Sequence, residues 1–276
     1  MKLIKPSFSI LPQSEGLEGI YKQIELAGRT CYKSEDKITE TSAKEFAVRM
    51  IKLGHGAMLE HGTVYLAIPM TTYAPDAVNT YRDNAYSKVN DCNEFIFTDK
   101  YGDKVAAWCV TTNLRVLVEN DCLEDLEFLC EPTEYHERRY TVKFICDRGV
   151  SHEFVRHRVF SFAQESTRYC NYSKDKFGSE ITYIQPCWEM QKDEEELFLL
   201  QLEQAQNSYN ALISSGWKAQ EARAILPNSL KTELVMTGYI SDWKHFFELR
   251  TAGAAHPQAR ELALPLKEEF LTRGYI

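Results

Sequence analysis

Apolar residues recur at helical spacing over residues 16–29, where Leu17, Ile20, Ile24 and Leu26 define one side of a first predicted helix. Ser42-Ala-Lys-Glu45 has the spacing of a capping box and opens a second helix carrying Phe46, Val48, Met50, Ile51 and Leu53, which Gly54 should end. The pattern then changes, and Val64–Pro69 reads as a strand closed by proline. Phe95–Thr98 and Val105–Val118 read as two strands around a Tyr101-Gly-Asp103 turn, with a short helix capped by Asn120 or Asp121 running to Leu129. Arg139–Cys146 is a further strand, and Val150–Val159 a helix carrying the first arginines of a cationic stretch. Beyond it the reading is helical. Trp188–Ser215 has an apolar stripe of Leu197, Leu200, Ala205, Tyr209, Leu212 and Ile213 and ends at Gly216, and Gln220–Leu226 loosens near Pro227. Ser241–Thr251 and Gln258–Leu271 complete the set. Strands concentrated in the first 150 residues with helices after them predict an α+β fold.

Composition narrows the class. A chain of 276 residues with 44% hydrophobic and 12% aromatic content can bury a large core, and it shows no repeat or low-complexity linker. A formal net charge of -8 argues against a general nucleic-acid surface, which needs a basic face. None of the eight cysteines forms a CxxC pair, so zinc-ribbon and thioredoxin-type chemistry have no support. Neither a signal-peptide core nor a run of about 18 apolar residues is present. The expectation is a cytoplasmic chain with free thiols and no membrane partner.

Against that acidic background, residues 156–169 read Arg-His-Arg-Val-Phe-Ser-Phe-Ala-Gln-Glu-Ser-Thr-Arg-Tyr. Guanidinium forks suit phosphate and carboxylate, so the stretch points to a small anionic ligand. Ser166 and Arg168 lie where a hydroxyl, backbone amides and a guanidinium can converge on phosphate. The bland alternative is a solvated basic helix paired with Glu153 and Glu165. A second constellation comprises Arg223 in Glu221-Ala-Arg-Ala-Ile-Leu-Pro227 and Arg250 in His245-Phe-Phe-Glu-Leu-Arg250. Arginines bordering apolar faces need partners, either internal acids such as Glu221, Glu233 or Glu248, or an anionic ligand. His55 and His61 lack the HExxH spacing, so no metal is expected. His157 between two arginines suits a neutral hydrogen-bonding role as well as that of a base. Cys170 reads as a buried thiol rather than a nucleophile, and neither a P-loop nor GxGxxG appears.

The run Arg156-His-Arg158, seven residues, then Ser166, taken with Ser-Thr-Arg-Tyr169, ARAILP and HFFELR, resembles the flavin-dependent thymidylate synthases over about residues 15–71 and 139–265. That resemblance implies a single domain over 1–276 with a family-variable insertion at about 72–138. It would have a central, mostly antiparallel sheet flanked by helices and long C-terminal helices, and would assemble as a homotetramer with sites shared between subunits. It implies reductive methylation of dUMP with FAD, NADPH and 5,10-methylenetetrahydrofolate, without a cysteine nucleophile. Carried over by position, Glu153, Arg156, Gln164, Glu165, Ser166, Thr167, Arg168, Arg223 and Arg250 fall at the nucleotide site, with Arg250 catalytic. His55, Ala57, Arg156, His157, Arg158, Gln164, Tyr239, Ser241 and His245 fall at the FAD site. The chain also departs from the family pattern. Ala163 and Gln164 stand where Asn and Glu are usual, with Glu165 one place later; Cys31 replaces a frequent Ser; and His256 follows an Ala254 found where His is common. Alternatives are another nucleotide-specific flavoenzyme and a nucleotide- or RNA-binding module without catalysis.

Overall fold

The computed structural model describes residues 1–70, 78–99, 101–173 and 180–276, so residues 72–77 and 100 of the expected insertion lie outside it. In chain order the elements are β1 (Lys2–Ile4), β2 (Ser7–Ile10), α1 (Gly16–Tyr32), α2 (Ser42–Lys52), α3 (Gly56–Leu59), β3 (Thr63–Pro69), α4 (Asn79–Arg82), β4 (Lys88–Thr98) and β5 (Lys104–Asn113). They continue with α5 (Leu114–Glu119), β6 (Arg139–Asp147), α6 (Arg148–Phe154), β7 (Ser161–Gln164), β8 (Thr182–Ile184), α7 (Lys192–Ser214), α8 (Ala219–Ala222), β9 (Lys231–Tyr239), α9 (Ile240–Arg250) and α10 (Pro257–Thr272). Short 3-10 turns occupy Glu35–Lys37, Leu123–Phe128 and Arg223–Ile225.

The strands form three sheets rather than one central sheet. An antiparallel four-stranded sheet runs β2-β6-β9-β7, a three-stranded one runs β3-β5-β4, and β1 pairs in parallel with β8. The α+β class holds, but among the described residues three strands, β7, β8 and β9, lie beyond residue 150. The sequence reading had no strand over 231–239, yet β9 is interior to its sheet, pairing with β6 from Arg139↔Tyr239 to Asp147↔Lys231 and with β7 on its other side. Lys231 and Glu233 at its start break the apolar signal, because they serve a buried ion network instead of solvent.

Local chemistry explains the other differences. The strand expected to reach Val118 stops at Asn113, whose side chain accepts from Val116 N (3.3 Å) and starts α5. Ser42 does not form the capping box; its Oγ accepts from Thr39 N (2.9 Å) and donates to Glu25 (2.8 Å). The helix expected over 150–159 is α6, opened by Asp147 Oδ1 accepting from Val150 N (2.7 Å) and finished at Phe154, before the arginines. The short helix expected to Leu129 is a 3-10 turn begun from Cys122. Gly54 (φ 66°) and Gly216 (φ 94°) end α2 and α7 as the sequence indicates.

Two main cores sit on the two larger sheets. Ile20, Ile24, Phe46 and Met50 of α1 and α2 pack with Leu66, Trp108 and Val110 of the three-stranded sheet. Phe144, Phe154, Trp243, Phe246, Phe247 and Phe270 form an aromatic core that seats α6, α9 and α10 on the four-stranded sheet. The long α7 buries only Leu202 and Tyr209, while Leu197 and Leu200 of its expected stripe are exposed. Among the described residues no helix is long and apolar enough to cross a membrane.

Polar bonds tie the sheets together. Gln13 and Thr63 exchange two bonds of 2.8 Å, and Arg139 donates to Glu60 O (3.1 Å) and Thr63 Oγ1 (3.3 Å). The Tyr239 hydroxyl reaches the carbonyls of Tyr86 (3.0 Å) and Thr111 (2.7 Å). His61, fully buried, bonds Thr237 through Nδ1 (2.8 Å), and Thr237 bonds Thr141 (2.8 Å). Burial first, then the Arg139 charge, push the His61 imidazole down to about 3 from 6.5. Below pH 6.5 the unfolded chain therefore takes up a proton that the folded chain refuses. Stability should be indifferent to this group above that pH and fall as the pH drops toward 3, by up to about 1.4 kcal/mol per pH unit. Urea denaturation of wild type and His61→Gln from neutral pH to mildly acidic pH should show the steeper loss in wild type. Equal slopes would refute the assignment.

Candidate functional site

The residues after α6 form consecutive turns, with His157 N bonding Phe154 O and Phe160 N bonding His157 O, both at 3.1 Å. These turns leave Arg156 and Arg158 exposed and bury His157. His157 Nε2 accepts from Arg250 Nε (2.9 Å), which assigns its proton to Nδ1. Burial, then the charges of Arg250 and His245, lower its pKa to about 4, so it is a neutral acceptor. The Arg250 guanidinium also binds the Glu153 carboxylate (2.8 Å) and the Glu153 carbonyl (2.5 Å). Arg250 therefore has an internal acid partner, but it is Glu153 of α6, none of the three acids named from sequence. The Arg250 contact first, with burial opposing and Arg156 helping, lowers the Glu153 carboxyl below its usual range. His245, one turn earlier on α9, is exposed, with its ring 6.2 Å from that of His157.

A second group surrounds the loop after β7. Gln164 donates both amide hydrogens, to Ser151 Oγ (2.9 Å) and Thr232 Oγ1 (3.2 Å), linking α6, β7 and β9. Glu165 is 2% exposed and points inward. It takes a bond from Lys231 (2.8 Å) and one from the Tyr172 hydroxyl (3.1 Å), while its backbone N–H bonds Glu233 O (2.8 Å). Lys231 also binds Glu233 (2.6 Å), which Lys33 (2.6 Å) and Lys143 reach as well; Glu35 lies 3.2 Å from Lys33. Three lysines thus face three glutamates. Burial opposes ionisation of Glu233, but the lysines prevail and hold it at about 2. The carboxylate displaced by one place in sequence is consequently an internal anchor.

This anchor sets the exposed part of the loop. Ser166 N donates to Cys31 O (2.9 Å), and Ser166 Oγ accepts from Arg168 N (3.3 Å). Arg223, delivered by the 3-10 turn after α8, donates to Thr167 Oγ1 (2.9 Å). Arg168 and Arg223 are both exposed, and neither has a carboxylate partner among the described residues. Ser166, Thr167, Arg168 and Arg223 are therefore together; Glu153, His157, His245 and Arg250 form the neighbouring group, joined through the Gln164–Ser151 bond to α6. His55 and Ala57 are exposed at α3, and no hydrogen bond among the described residues joins them to either group. Tyr239 is 6% exposed, its hydroxyl committed between the two sheets. Ser241 opens α9 with its Oγ on Lys88 (2.9 Å) and its N–H on Glu137 (3.0 Å). Cys170 is buried, its thiol pushed up to about 12 chiefly by burial, and the eight cysteines are all unpaired. Lys231, Lys33, Ser151 and Thr232 were missed from sequence, and Glu233, named there as a possible arginine partner, instead pairs with lysines; the one signal was a Lys-Thr-Glu start to an otherwise apolar run.

Fold and site together define a mixed α/β protein with an arginine-bearing loop anchored by a buried ion network. Residues 133–273 match the family model described as thymidylate synthase complementing protein, which is more than half of the chain, and the chain belongs to that family. It is 34% identical over 133 residues to a flavin-dependent thymidylate synthase of Pyrococcus furiosus, covering 48% of this chain and 53% of the relative. It is 31% identical over 119 residues to that of Geobacter sulfurreducens, covering 43% and 50%. The chain thus spans about half the length of the curated relatives it matches. A UMP/dUMP methylase, PolB from Streptomyces cacaoi, aligns over 99% of this chain and 93% of its own at 16% identity and a TM-score of 0.46, too remote to bear on the site.

Lys231→Met should leave Glu165 buried without its cation, at a cost of about 3–5 kcal/mol, whereas Lys231→Met/Glu165→Gln should regain much of that loss. Thermal unfolding of both variants checks the pairing. A double variant no more stable than the single one would show that the two side chains are not coupled.

Proposed function

We propose that this chain is a flavin-dependent thymidylate synthase. It would convert dUMP to dTMP with 5,10-methylenetetrahydrofolate as carbon donor and NADPH as reductant, acting in the cytoplasm as a homotetramer with sites shared between subunits. The family membership and the names of the relatives support this reading. The observation that carries it is the pair Arg168 and Arg223, both exposed and without carboxylate partners among the described residues, Arg223 donating to the hydroxyl of Thr167 (2.9 Å), the residue next to Arg168, in a chain of net charge -8. Two exposed guanidiniums beside a loop of backbone amides suit a dianionic nucleotide phosphate. Ser166 and Thr167 position the nucleotide, and Glu165 acts through the loop it anchors.

Arg250 is the residue assigned to the pyrimidine. A guanidinium has about five N–H donors; three are bonded to Glu153 and His157. The others remain for negative charge developing on the ring as C5 becomes nucleophilic, the arrangement that makes electrostatic stabilisation effective. His157, a neutral acceptor, holds the guanidinium in one orientation, and Glu153 offers its second carboxylate oxygen to the ring. Gln164 has both amide hydrogens committed, so its carbonyl oxygen is the group left to accept from a ligand N–H.

The donor set fits FAD: Arg156 is 71% exposed and only 3.7 Å from Glu153, and exposed Arg158 and His245 flank neutral His157. These residues, with Gln164 and Ser241, would hold the dinucleotide, and His55 and Ala57 would be supplied across a subunit contact. Tyr239, its hydroxyl committed, would contribute only backbone or ring edge. Bound FAD supplies redox chemistry that no side chain provides.

Purified protein should carry flavin absorbance and release tritium from C5-tritiated dUMP when given NADPH and the folate. Arg250→Ala should cut release about 100–1000-fold. Arg223→Ala should raise KM for dUMP about 10–100-fold, as for loss of a charged hydrogen bond. Full release by Arg250→Ala would remove that residue's role, and a wild type without dUMP-dependent turnover would remove the activity.

A further inference from the structure

A cleft of about 560 Å³ opens between the C-terminal end of α1 and α2, lined by Arg29, Tyr32, Ser34, Lys37, Phe46 and Arg49. Three of its six lining residues are cationic and none is acidic. Arg29 is fixed by two bonds to Glu25 (2.8 and 3.1 Å), a carboxylate held in turn by Ser42 (2.8 Å). The buried Phe46 ring carries Arg29 at 4.8 Å and Arg49 at 5.3 Å, so one aromatic ring orients two guanidiniums. Arg49 and Lys37 are exposed, and no carboxylate among the described residues pairs with either. Glu35, two residues before Lys37, is committed to Lys33 and Lys143.

The cleft is not isolated from the candidate site. Tyr32 lies against Tyr169 with ring centroids 5.2 Å apart, and Arg168 sits 5.5 Å over the other ring of that pair. Cys31, next to Tyr32, accepts the Ser166 amide. A continuous cationic and aromatic path therefore leads from the nucleotide loop to the cleft. None of its lining residues is needed for the dUMP or FAD contacts proposed above.

We propose that this cleft is a subsite for the multiply anionic end of a co-substrate whose reacting end lies at the candidate site. The ligand chemistry is a small molecule presenting two or more negative charges beside a planar or flexible segment, since Lys37 and Arg49 recognise charge and Tyr32 offers a ring face. Two sources share it: the phosphoadenosine end of NADPH and the carboxylates of a polyglutamylated folate. The assignment of those co-substrates rests on the proposed synthase reading; the anion site itself does not.

The test uses the intact protein and the variants Lys37→Glu, Arg49→Glu and their combination, all at exposed positions where surface substitutions rarely disturb folding. Binding of 2′,5′-ADP and of tetraglutamate is measured by calorimetry, and KM is measured for NADPH against NADH and for monoglutamyl against tetraglutamyl folate. Wild type is expected to bind one probe in a salt-sensitive way, and the double variant to lose about tenfold or more of that affinity. The matching KM should rise by a similar factor while KM for dUMP and kcat at saturation stay unchanged. A lost preference for NADPH over NADH identifies the nucleotide arm; a lost preference for the longer folate identifies the other. Probe binding without any dUMP turnover would keep the subsite and refute the synthase reading. Binding of neither probe by wild type, or unchanged affinity and KM in the double variant, would overturn the subsite.

Discussion

The buried exchange of charge among Glu165, Lys231 and Glu233 is the constraint on which the site depends. Burying one of these groups alone would be costly, and the arrangement is stable only because each cation meets a carboxylate at 2.6–2.8 Å. Glu165 directly follows β7 and Lys231 starts β9, so the pairing closes the edge of the four-stranded sheet where the exposed loop departs. Lys33 brings the end of α1 into the same network, and its left-handed backbone (φ 48°) is the turn that lets the chain leave the helix there. The loop over 166–168 is thereby held between a helix terminus, a strand and the 3-10 turn bearing Arg223.

The arginines divide according to whether the protein satisfies them. Arg250 is saturated from one side by Glu153 and neutral His157, and it is 13% exposed. Such a group is fixed in orientation and keeps a few donors for work. Arg168 and Arg223 have a tyrosine ring and a hydroxyl as neighbours, so their charge is available to solvent and ligands. The structure thus holds one guanidinium in a fixed orientation and leaves two accessible.

Much of this was legible. Helical periodicity located α1, α2, α9 and α10 to within a few residues, because their apolar stripes face a core on one side; α7 was located too, although much of its expected stripe is exposed. The strand β6 was legible for the same reason. β9 was not, since its first three residues are Lys, Thr and Glu, and polar residues inside a sheet contradict the pattern unless their partners are known. The extent of α6 was also misjudged: nothing local in Val155-Arg-His-Arg158 forbids helix, and the turns there are imposed by His157 and Phe160 packing against Phe246. Gly238 shows the same influence, for a Cβ there would stand 2.6 Å from the Phe160 ring.

Residue type and spacing along the chain singled out the candidate residues: the arginine cluster, the serine beyond it and the two later arginines stand out against an acidic chain. Those features are local, and local order survives in a linear string. What folding alone decided was which charges are left over. Whether Glu165 faces a ligand or Lys231, and whether Arg250 finds Glu153 or Glu248, depends on partners 66 and 97 residues away. Pairing at such separations is set by strand register and helix docking, and a sequence read in order contains no distance.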